Sequence, residues 1–286
     1  MRCSALLLLL AACGGAPAPE VPTAETTGAL RFRLLSYNTW GLPIASLDLE
    51  ERFRKLPKVL RELEPDVVVL QEVWVPRLRK ELIAAMGEEF HATESPGSGL
   101  LTLSRYPIAS EEFVRFPKHE DLPLTEWIAG KGILTAVLRT PRGEIRVLNT
   151  HLSIGRNTSR VRDAQAAFLL EQIEGERATP LILAADLNTP PVWGGKLTSR
   201  YTRFVDAGFV DVKPPARLED GSWDDGPPTR VGYPRNNPIF PSTWRPDHVL
   251  YRSAGRLRHL RHEITLNTPE TALSDHNLIL VDFELR

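Results

Sequence analysis

The feature that most constrains this chain is a series of short apolar runs, each bordered by a polar or titratable residue. Val67-Val68-Val69-Leu70 leads into Gln71-Glu72, Val147-Leu148 into Asn149-Thr150-His151, and Leu181-Ile182-Leu183-Ala184-Ala185 into Asp186 and Asn188. Residues 31–37 read as a strand that ends at Asn38. Asp247 precedes His248-Val249-Leu250-Tyr251, and Asp275-His276 precede Leu278-Ile279-Leu280-Val281. Short β-branched and leucine-rich runs read as buried strands. A sheet delivers the side chains at its strand ends to one rim, so polar residues at so many ends imply a pocket. Singly each has a plainer reading: His151 as a hydrogen-bonded strand-end histidine, Glu72 as a surface carboxylate, Asp186 or Asn38 as a turn former, and Asp275-His276 as a cap on the last strand.

Between these runs, Leu49, Phe53, Leu56, Leu60 and Leu63 recur at helical spacing. Pro57 should kink that helix or mark its first turn. Residues 78–86 and 160–174 also read as helices. Residues 100–104, 133–139 and 145–149 read as strands, with Arg142-Gly143 turning the last two into a hairpin. Residues 211–246, dense in Pro, Gly, Asp, Asn and Trp, read as a long loop near the site. No linker or repeat interrupts residues 30–286, which form one domain. Strands and hairpins mixed with helices imply two packed mixed sheets with helices outside.

The first residues have a different character. Arg2 precedes an apolar run over residues 5–12, too short to span a bilayer and shaped like a secretory signal. It ends in Leu10-Ala11-Ala12-Cys13, which resembles a bacterial lipobox. The expectation is a signal peptide over residues 1–12, acylation of Cys13, and a flexible Ala/Pro/Gly-rich tether over residues 13–29. A plain secretory signal with an incidental cysteine is the alternative. The chain has two cysteines, Cys3 and Cys13, so processing leaves no thiol for a disulfide. The expected location is the bacterial cell envelope, as an exported, membrane-anchored lipoprotein, or outside the cell as a secreted protein. Lys and Arg total 35 against 36 Asp and Glu, a formal charge of −1. That lacks the basic excess typical of proteins that hold long nucleic acids.

The strings Ser36-Tyr37-Asn38-Thr39-Trp40, Leu70-Gln71-Glu72-Val73-Trp74, Asn149-Thr150-His151-Leu152, Ala185-Asp186-Leu187-Asn188, Asp247-His248-Val249-Leu250-Tyr251 and Leu273-Ser274-Asp275-His276 follow one another from residue 36 to 276. In order and wording they resemble the endonuclease/exonuclease/phosphatase superfamily. Within it, Asn38-Thr39-Trp40-Gly41-Leu42-Pro43, Gln71-Glu72-Val73-Trp74, the segment from Gly97 to Ile108 and Lys131-Gly132 look like the neutral sphingomyelinase branch. The sequence departs from the family pattern at Ala185, where Gly is usual before the Asp and where an added methyl could crowd the site. It departs again at His248, a position often held by Tyr or an apolar residue.

The resemblance implies a four-layered α/β sandwich and a metal-dependent phosphoric diester hydrolase. The expected cofactor is Mg²⁺, with Mn²⁺ or Co²⁺ as alternatives, since hard cations take oxygen ligands. Glu72 is the expected ligand, with Asn38 beside it and Asp275 in support. His276 is expected to be the base, with Asp247 fixing its tautomer. Asp186 is expected to position the water or assist the leaving group, while Asn188 and His151 donate to the phosphoryl oxygens. Lys131 and Trp127 are candidate substrate contacts, Lys131 for phosphate and Trp127, with Ile128, for a lipid surface. Trp40 with Leu42 is a second candidate for that surface, with core packing favoured for Trp40. The basic stretch Arg252, Arg256, Arg258, His259, Arg261 and His262 reads as an exposed face of a strand pair, with attraction to an anionic membrane or nucleic acid as the alternative. The expected substrate is a lipid phosphodiester, cleaved as by a sphingomyelinase C, and the expected state is monomeric. The alternatives are a nuclease with the same site, a phosphomonoesterase on inositol phosphates, and a non-catalytic binding module.

Overall fold

A computed structural model describes residues 28–286 except 156, 176, 231–243, 267, 269 and 270. The signal segment, Cys13, most of the tether and the middle of the long loop lie outside the described residues. In chain order the elements are β1 (Leu30–Asn38), α1 (Leu49–Glu62), β2 (Val67–Gln71), α2 (Pro76–Met86), β3 (His91–Ser95), β4 (Leu100–Ser104), β5 (Ile108–Arg115), α3 (Leu124–Ile128), β6 (Gly132–Thr140), β7 (Gly143–His151), α4 (Ser159–Gln172) and β8 (Leu181–Asp186). The short pair β9 (Val192–Trp193) and β10 (Lys196–Leu197), then α5 (Ser199–Asp206), β11 (Val210–Asp211), β12 (Ala216–Arg217), β13 (Trp223–Asp224), β14 (Asp247–Arg252), β15 (Leu257–Thr265) and β16 (Leu278–Leu285) complete the chain.

Two six-stranded sheets carry the fold, one in the order β15-β16-β1-β2-β4-β3 and the other β11-β14-β8-β7-β6-β5. Both are mixed. β1–β2 and β7–β8 run parallel, and each of these pairs is flanked by antiparallel neighbours. The expected β6–β7 hairpin closes at Thr140 and Gly143, where the glycine has φ +95°.

Alternation along the strands sorts the core into three apolar layers. Side chains of successive strand residues point to opposite faces. Leu34, Val67, Val69, Ile279 and Val281 of the first sheet meet Val147, Ile182, Ala184 and Val249 of the second. Their neighbours Leu35, Val68, Leu70 and Leu278 pack instead on Phe53, Leu56 and Leu60 of α1 and on Leu78, Leu82 and Met86 of α2. On the far side, Leu148, Leu181, Leu183 and Ala185 pack on Ala166 and Leu169 of α4 and Phe204 of α5. Helices, sheet, sheet and helices therefore form four layers. The central strands are apolar on both faces because both faces are covered.

Several elements carried too little periodicity to be read in advance. The β3 and β5 strands are polar edge strands, α3 is one turn long, and α5 begins in a turn-rich segment. The α5 helix is started by Thr198, whose side chain accepts from the Tyr201 amide. Pro57 is buried in the interior of α1, not in its first turn. The basic stretch of residues 252–262 runs through the end of β14 into β15, the edge strand beside β16. Arg252 there is buried and donates to the Ile173 carbonyl, and Arg258 pairs with Glu284 at 2.9 Å.

The two sheets are also joined by polar bonds. Asn149 of β7 is fully buried between them and donates to the carbonyls of Leu70 (2.9 Å) and Leu101 (3.1 Å). Its Oδ1 accepts from Gln71 Nε2 at 3.0 Å. Removing one member strands buried partners with no water to replace it. Asn149→Ala is therefore expected to lower the unfolding free energy by about 2–4 kcal/mol, read as a lower urea midpoint at unchanged m-value. An unchanged midpoint would show that the sheets do not depend on this clamp.

Candidate active site

The strand alternation that builds the inter-sheet layer also fills one end of it with polar groups. On β1 the inward positions run Phe32, Leu34, Ser36, Asn38. On β7 they run Ile145, Val147, Asn149, His151; on β8, Ile182, Ala184, Asp186; and on β14, Tyr251, Val249, Asp247. Strand pairing sets Asp186 beside both His151 and Asp247 in register.

Backbone turns complete the cluster. Extended continuation of β2 would send residue 72 toward the helices. Instead Glu72 has φ +59°, and its carboxylate meets Asn38. Trp40 (φ +48°) and Asn188 (φ +45°) adopt the same left-handed conformation just beyond β1 and β8. Such backbone strain in non-glycine residues concentrates at functional sites. Gly41 lies against this turn. Its amide donates to the Glu72 carbonyl at 3.0 Å, and a Cβ there would collide with that oxygen.

Hydrogen bonds link the cluster continuously. Asn38 Nδ2 donates to Glu72 Oε1 (3.0 Å) and Asp186 Oδ2 (2.9 Å), while its Oδ1 accepts from the Trp40 amide. Asp186 Oδ1 accepts from the Asn188 amide at 2.9 Å. The Asp186 Oδ2 lies 3.6 Å from His151 Nε2 and 3.9 Å from His276 Nε2. His276 Nδ1 is 2.8 Å from Asp247 Oδ2, which also accepts from Thr229 Oγ1 at 2.5 Å. Asp275 Oδ1 is 3.8 Å from His276 Nε2, and Arg230 pairs with Asp275 at 3.3 Å. The structure thus brings Asn38, Glu72, His151, Asp186, Asn188, Asp247, Asp275 and His276 into one buried pocket.

The tautomers follow from the partners. His151 Nε2 faces two donors, Asn188 Nδ2 at 2.9 Å and Lys131 Nζ at 3.2 Å. Asn188 Nδ2 also donates to the Leu152 carbonyl, which fixes the amide orientation. His151 must therefore carry its proton on Nδ1, a buried atom with no partner that sits 3.9 Å from Glu72 Oε1. Burial and the adjacent Lys131 ammonium push this ring down to about 3, so it is neutral.

The carboxylates are pulled apart in the same way. Burial, and then the like charge of Asp275, lift Glu72 to about 7 against the bond from Asn38. Burial raises Asp247. Burial also acts on Asp186, but the two imidazoles, Asn38 and the Asn188 amide outweigh it and hold that group at about 2. For His276 burial disfavours the charged ring, yet Asp247, Asp275 and Asp186 prevail and lift it to about 10.

Two places could hold a cation. Glu72 Oε2 is buried without a hydrogen-bond partner, and it is repelled by Asp275. Desolvated like charges of this kind are relieved by a cation, and carboxylate oxygens suit a hard one; Asn38 turns its Nδ2, not its oxygen, toward Glu72. Asp186, Asp247 and His276 also offer one ligand atom each, all within 4.8 Å of one another. The Asp247–His276 bond ties up Nδ1, so the oxygen-rich corner at Glu72 fits Mg²⁺ better.

The remaining predicted residues divide. Lys131 is buried, not solvated. It donates to the Leu152 carbonyl at 3.0 Å and pairs with Glu126 of α3 at 3.1 Å. Trp127 stands apart, half-buried, its ring 3.9 Å from the Arg115 guanidinium. The Ala185 methyl packs among the α4 and α5 side chains and does not crowd the pocket. The His248 ring donates through Nε2 to the Thr189 carbonyl at 3.0 Å. Thr229 and Arg230 fall in the long loop expected near the site but were not singled out, and neither was Glu126. All three lie in irregular or single-turn segments, where no periodicity points to a shared partner.

Comparison with known proteins is consistent with this arrangement. The Endonuclease/Exonuclease/phosphatase family pattern matches residues 35–276. The chain is 26% identical over 284 residues to sphingomyelin phosphodiesterase 2 of Homo sapiens, covering 90% of this chain and 66% of that protein. It is 29% identical over 180 residues to inositol phosphosphingolipids phospholipase C of Schizosaccharomyces pombe, covering 57% of this chain and 42% of that protein. Among solved structures, D. rerio TDP2 complexed with a single-strand DNA product superposes with a TM-score of 0.68 at 22% identity, over 88% of this chain and 98% of that one. Its likeness extends to the fold alone. With a pattern that runs from within β1 to His276, just short of the final strand, the chain belongs to the Endonuclease/Exonuclease/phosphatase family.

Proposed function

We infer that this pocket hydrolyses a phosphodiester with the help of a divalent cation, and that the substrate is a lipid phosphodiester cleaved as by a sphingomyelinase C. The observation that carries this reading is the Asp247–His276 pair at 2.8 Å, with Asp186 3.9 Å from the opposite ring nitrogen. It has the form of a base held in one tautomer by a buried carboxylate.

Glu72, with Asn38 and Asp275 beside it, would hold a divalent cation, with Mg²⁺ the best fit, and that cation would supply charge neutralisation for the phosphoryl and leaving oxygens. The chain's own groups do the rest. Asp247 accepts the Nδ1 proton of His276 and leaves Nε2 facing Asp186. Asp275 is one of the charges that lift the ring, so a cation held beside it would lower the ring's proton affinity and help Nε2 take a proton from water. Asp186 orients that water, and its low proton affinity keeps it an acceptor. The unpartnered Nδ1–H of His151 is the donor left for the developing charge on phosphorus-bound oxygen, whereas Asn188, expected as a second donor, spends both side-chain N–H groups on His151 and the Leu152 carbonyl and holds the ring instead. Lys131, locked to Glu126 and Leu152, holds His151 in the tautomer that makes Nδ1 the donor.

The choice of lipid rests on three supports. One is the pair of relatives whose names describe sphingolipid cleavage. Another is the near-neutral net charge. The last is the lipobox-like Leu10-Ala11-Ala12-Cys13, which gives the chain a membrane address. The neighbouring fold that holds a DNA product keeps a nuclease as the second reading.

A substrate panel separates these readings. With Mg²⁺ the protein is expected to hydrolyse sphingolipid vesicles and bis-p-nitrophenyl phosphate but not to nick plasmid, to stop in EDTA, and to leave the membrane fraction when Cys13 is replaced by Ser. Plasmid nicking without lipid cleavage would replace the lipid reading with the nuclease. His276→Ala is expected to cut kcat about a hundred- to ten-thousandfold with an unchanged circular dichroism spectrum, and near-normal turnover would remove the base assignment. Glu72→Gln removes a buried charge while keeping a partner for Asn38. It is expected to raise the Tm of the cation-free protein by roughly 2–6 °C and to abolish the further rise that Mg²⁺ gives the wild type. A Mg²⁺ response that survives this change would place the cation elsewhere.

A further inference from the structure

Next to the reacting centre, past Asn188, a cavity of about 840 Å³ opens between the start of α4, the β9–β10 hairpin and the start of α5. Its walls include Arg162, Lys196 and Arg200 together with Trp193 and Trp244, and no carboxylate is among the described lining residues. Asn188 belongs to both places, since its amide touches His151 on one side and lines the cavity on the other. A phosphodiester seated at His151 therefore has one of its two arms beside this cavity.

The cations there are held, not loose. Arg200 is buried, donating to Asp163 (2.8 Å), Thr189 Oγ1 (2.5 Å) and Ser159 Oγ (2.9 Å). Asp163 offsets its charge from outside the lining. Arg162 is fixed through Nη1 to the carbonyls of Ser153 and Gly155 and to Thr158 Oγ1, and its Nε is buried with no partner. Burial, and then the like charge of Arg200, hold the Arg162 guanidinium below its ordinary range, as expected of a charge with too little compensation. Fixed guanidiniums form directed bonds to phosphate and hydroxyl oxygens. The tryptophans add aromatic surface to the walls. They alone would also suit a trimethylammonium, but the charges of Arg162 and Lys196 beside them repel one.

We propose that this cavity is the head-group subsite and takes a polyhydroxylated head group such as a cyclitol or sugar, in preference to a quaternary ammonium. The proposal rests on the phosphodiesterase reading above. Water adds to phosphorus, the bond from phosphorus to the lipid oxygen breaks, the lipid leaves as its alcohol, and the head group keeps the phosphate as a monoester.

The test uses the full chain and two sphingolipids that differ only in head group, phosphoinositol against phosphocholine, in matched vesicles. Binding of inositol 1-phosphate and of phosphocholine is measured by titration calorimetry alongside. The wild type is expected to favour the inositol lipid in kcat/KM, and inositol 1-phosphate in Kd, by at least about tenfold. Lys196→Glu, on the exposed rim, is expected to shrink both preferences by about tenfold, and Arg162→Gln to shrink them with Tm retained. Equal or better use of the choline lipid, or preferences untouched by both substitutions, would overturn the subsite while leaving the hydrolase reading intact. Cleavage of neither lipid alongside a retained binding preference would sink the lipid reading and leave the subsite standing.

Discussion

Each central strand of this fold is covered on both faces, by helices on one side and by the opposite sheet on the other. That constraint makes parity along the strand decisive, because alternate residues belong to different layers. Inward residues are apolar for most of the strand length and turn polar together at one end. Asn38, Gln71, Asn149, His151, Asp186 and Asp247 are therefore neighbours because of their parity and their position near a strand end. The Gln71–Asn149 clamp marks the transition, and beyond it the layer between the sheets becomes the pocket.

Grouping buried carboxylates is costly unless each finds a donor or an opposite charge. The cluster manages most of this internally. Asp186 has Asn38 and the Asn188 amide, Asp247 has His276 and Thr229, and Asp275 has Arg230. Glu72 is the exception, with one oxygen unpartnered and a like charge nearby. That unsatisfied oxygen is the feature on which the proposed cation site rests. His151 shows the complementary imbalance, a neutral ring with an unused proton on Nδ1. Beyond Asn188 the lining of the cavity turns cationic. Electrostatic character thus changes sign between the carboxylates around Glu72 and the outer cavity.

What the sequence determined by itself is the set of strands and the residues at their ends. A run such as Leu181 to Ala185 has only one environment that suits it, and the family wording of the strings from residue 36 to 276 made the fold and most of the pocket legible. The edge strands β3 and β5, the one-turn α3 and the short α5 were not legible, because one polar face or one helical turn leaves no periodic signal. Tertiary structure alone decided the partners. Thr229 reaches Asp247 and Arg230 reaches Asp275 from an irregular loop, and Glu126 locks a lysine that the sequence showed only as a charge. Ala185 and His248 looked like departures at the reacting centre, yet parity turns both toward the helix layer. Local sequence sets which residues can be buried, because burial is a property of each side chain. Which buried groups face each other depends on strand order, register and backbone turns, and these exist only once the sheets have paired.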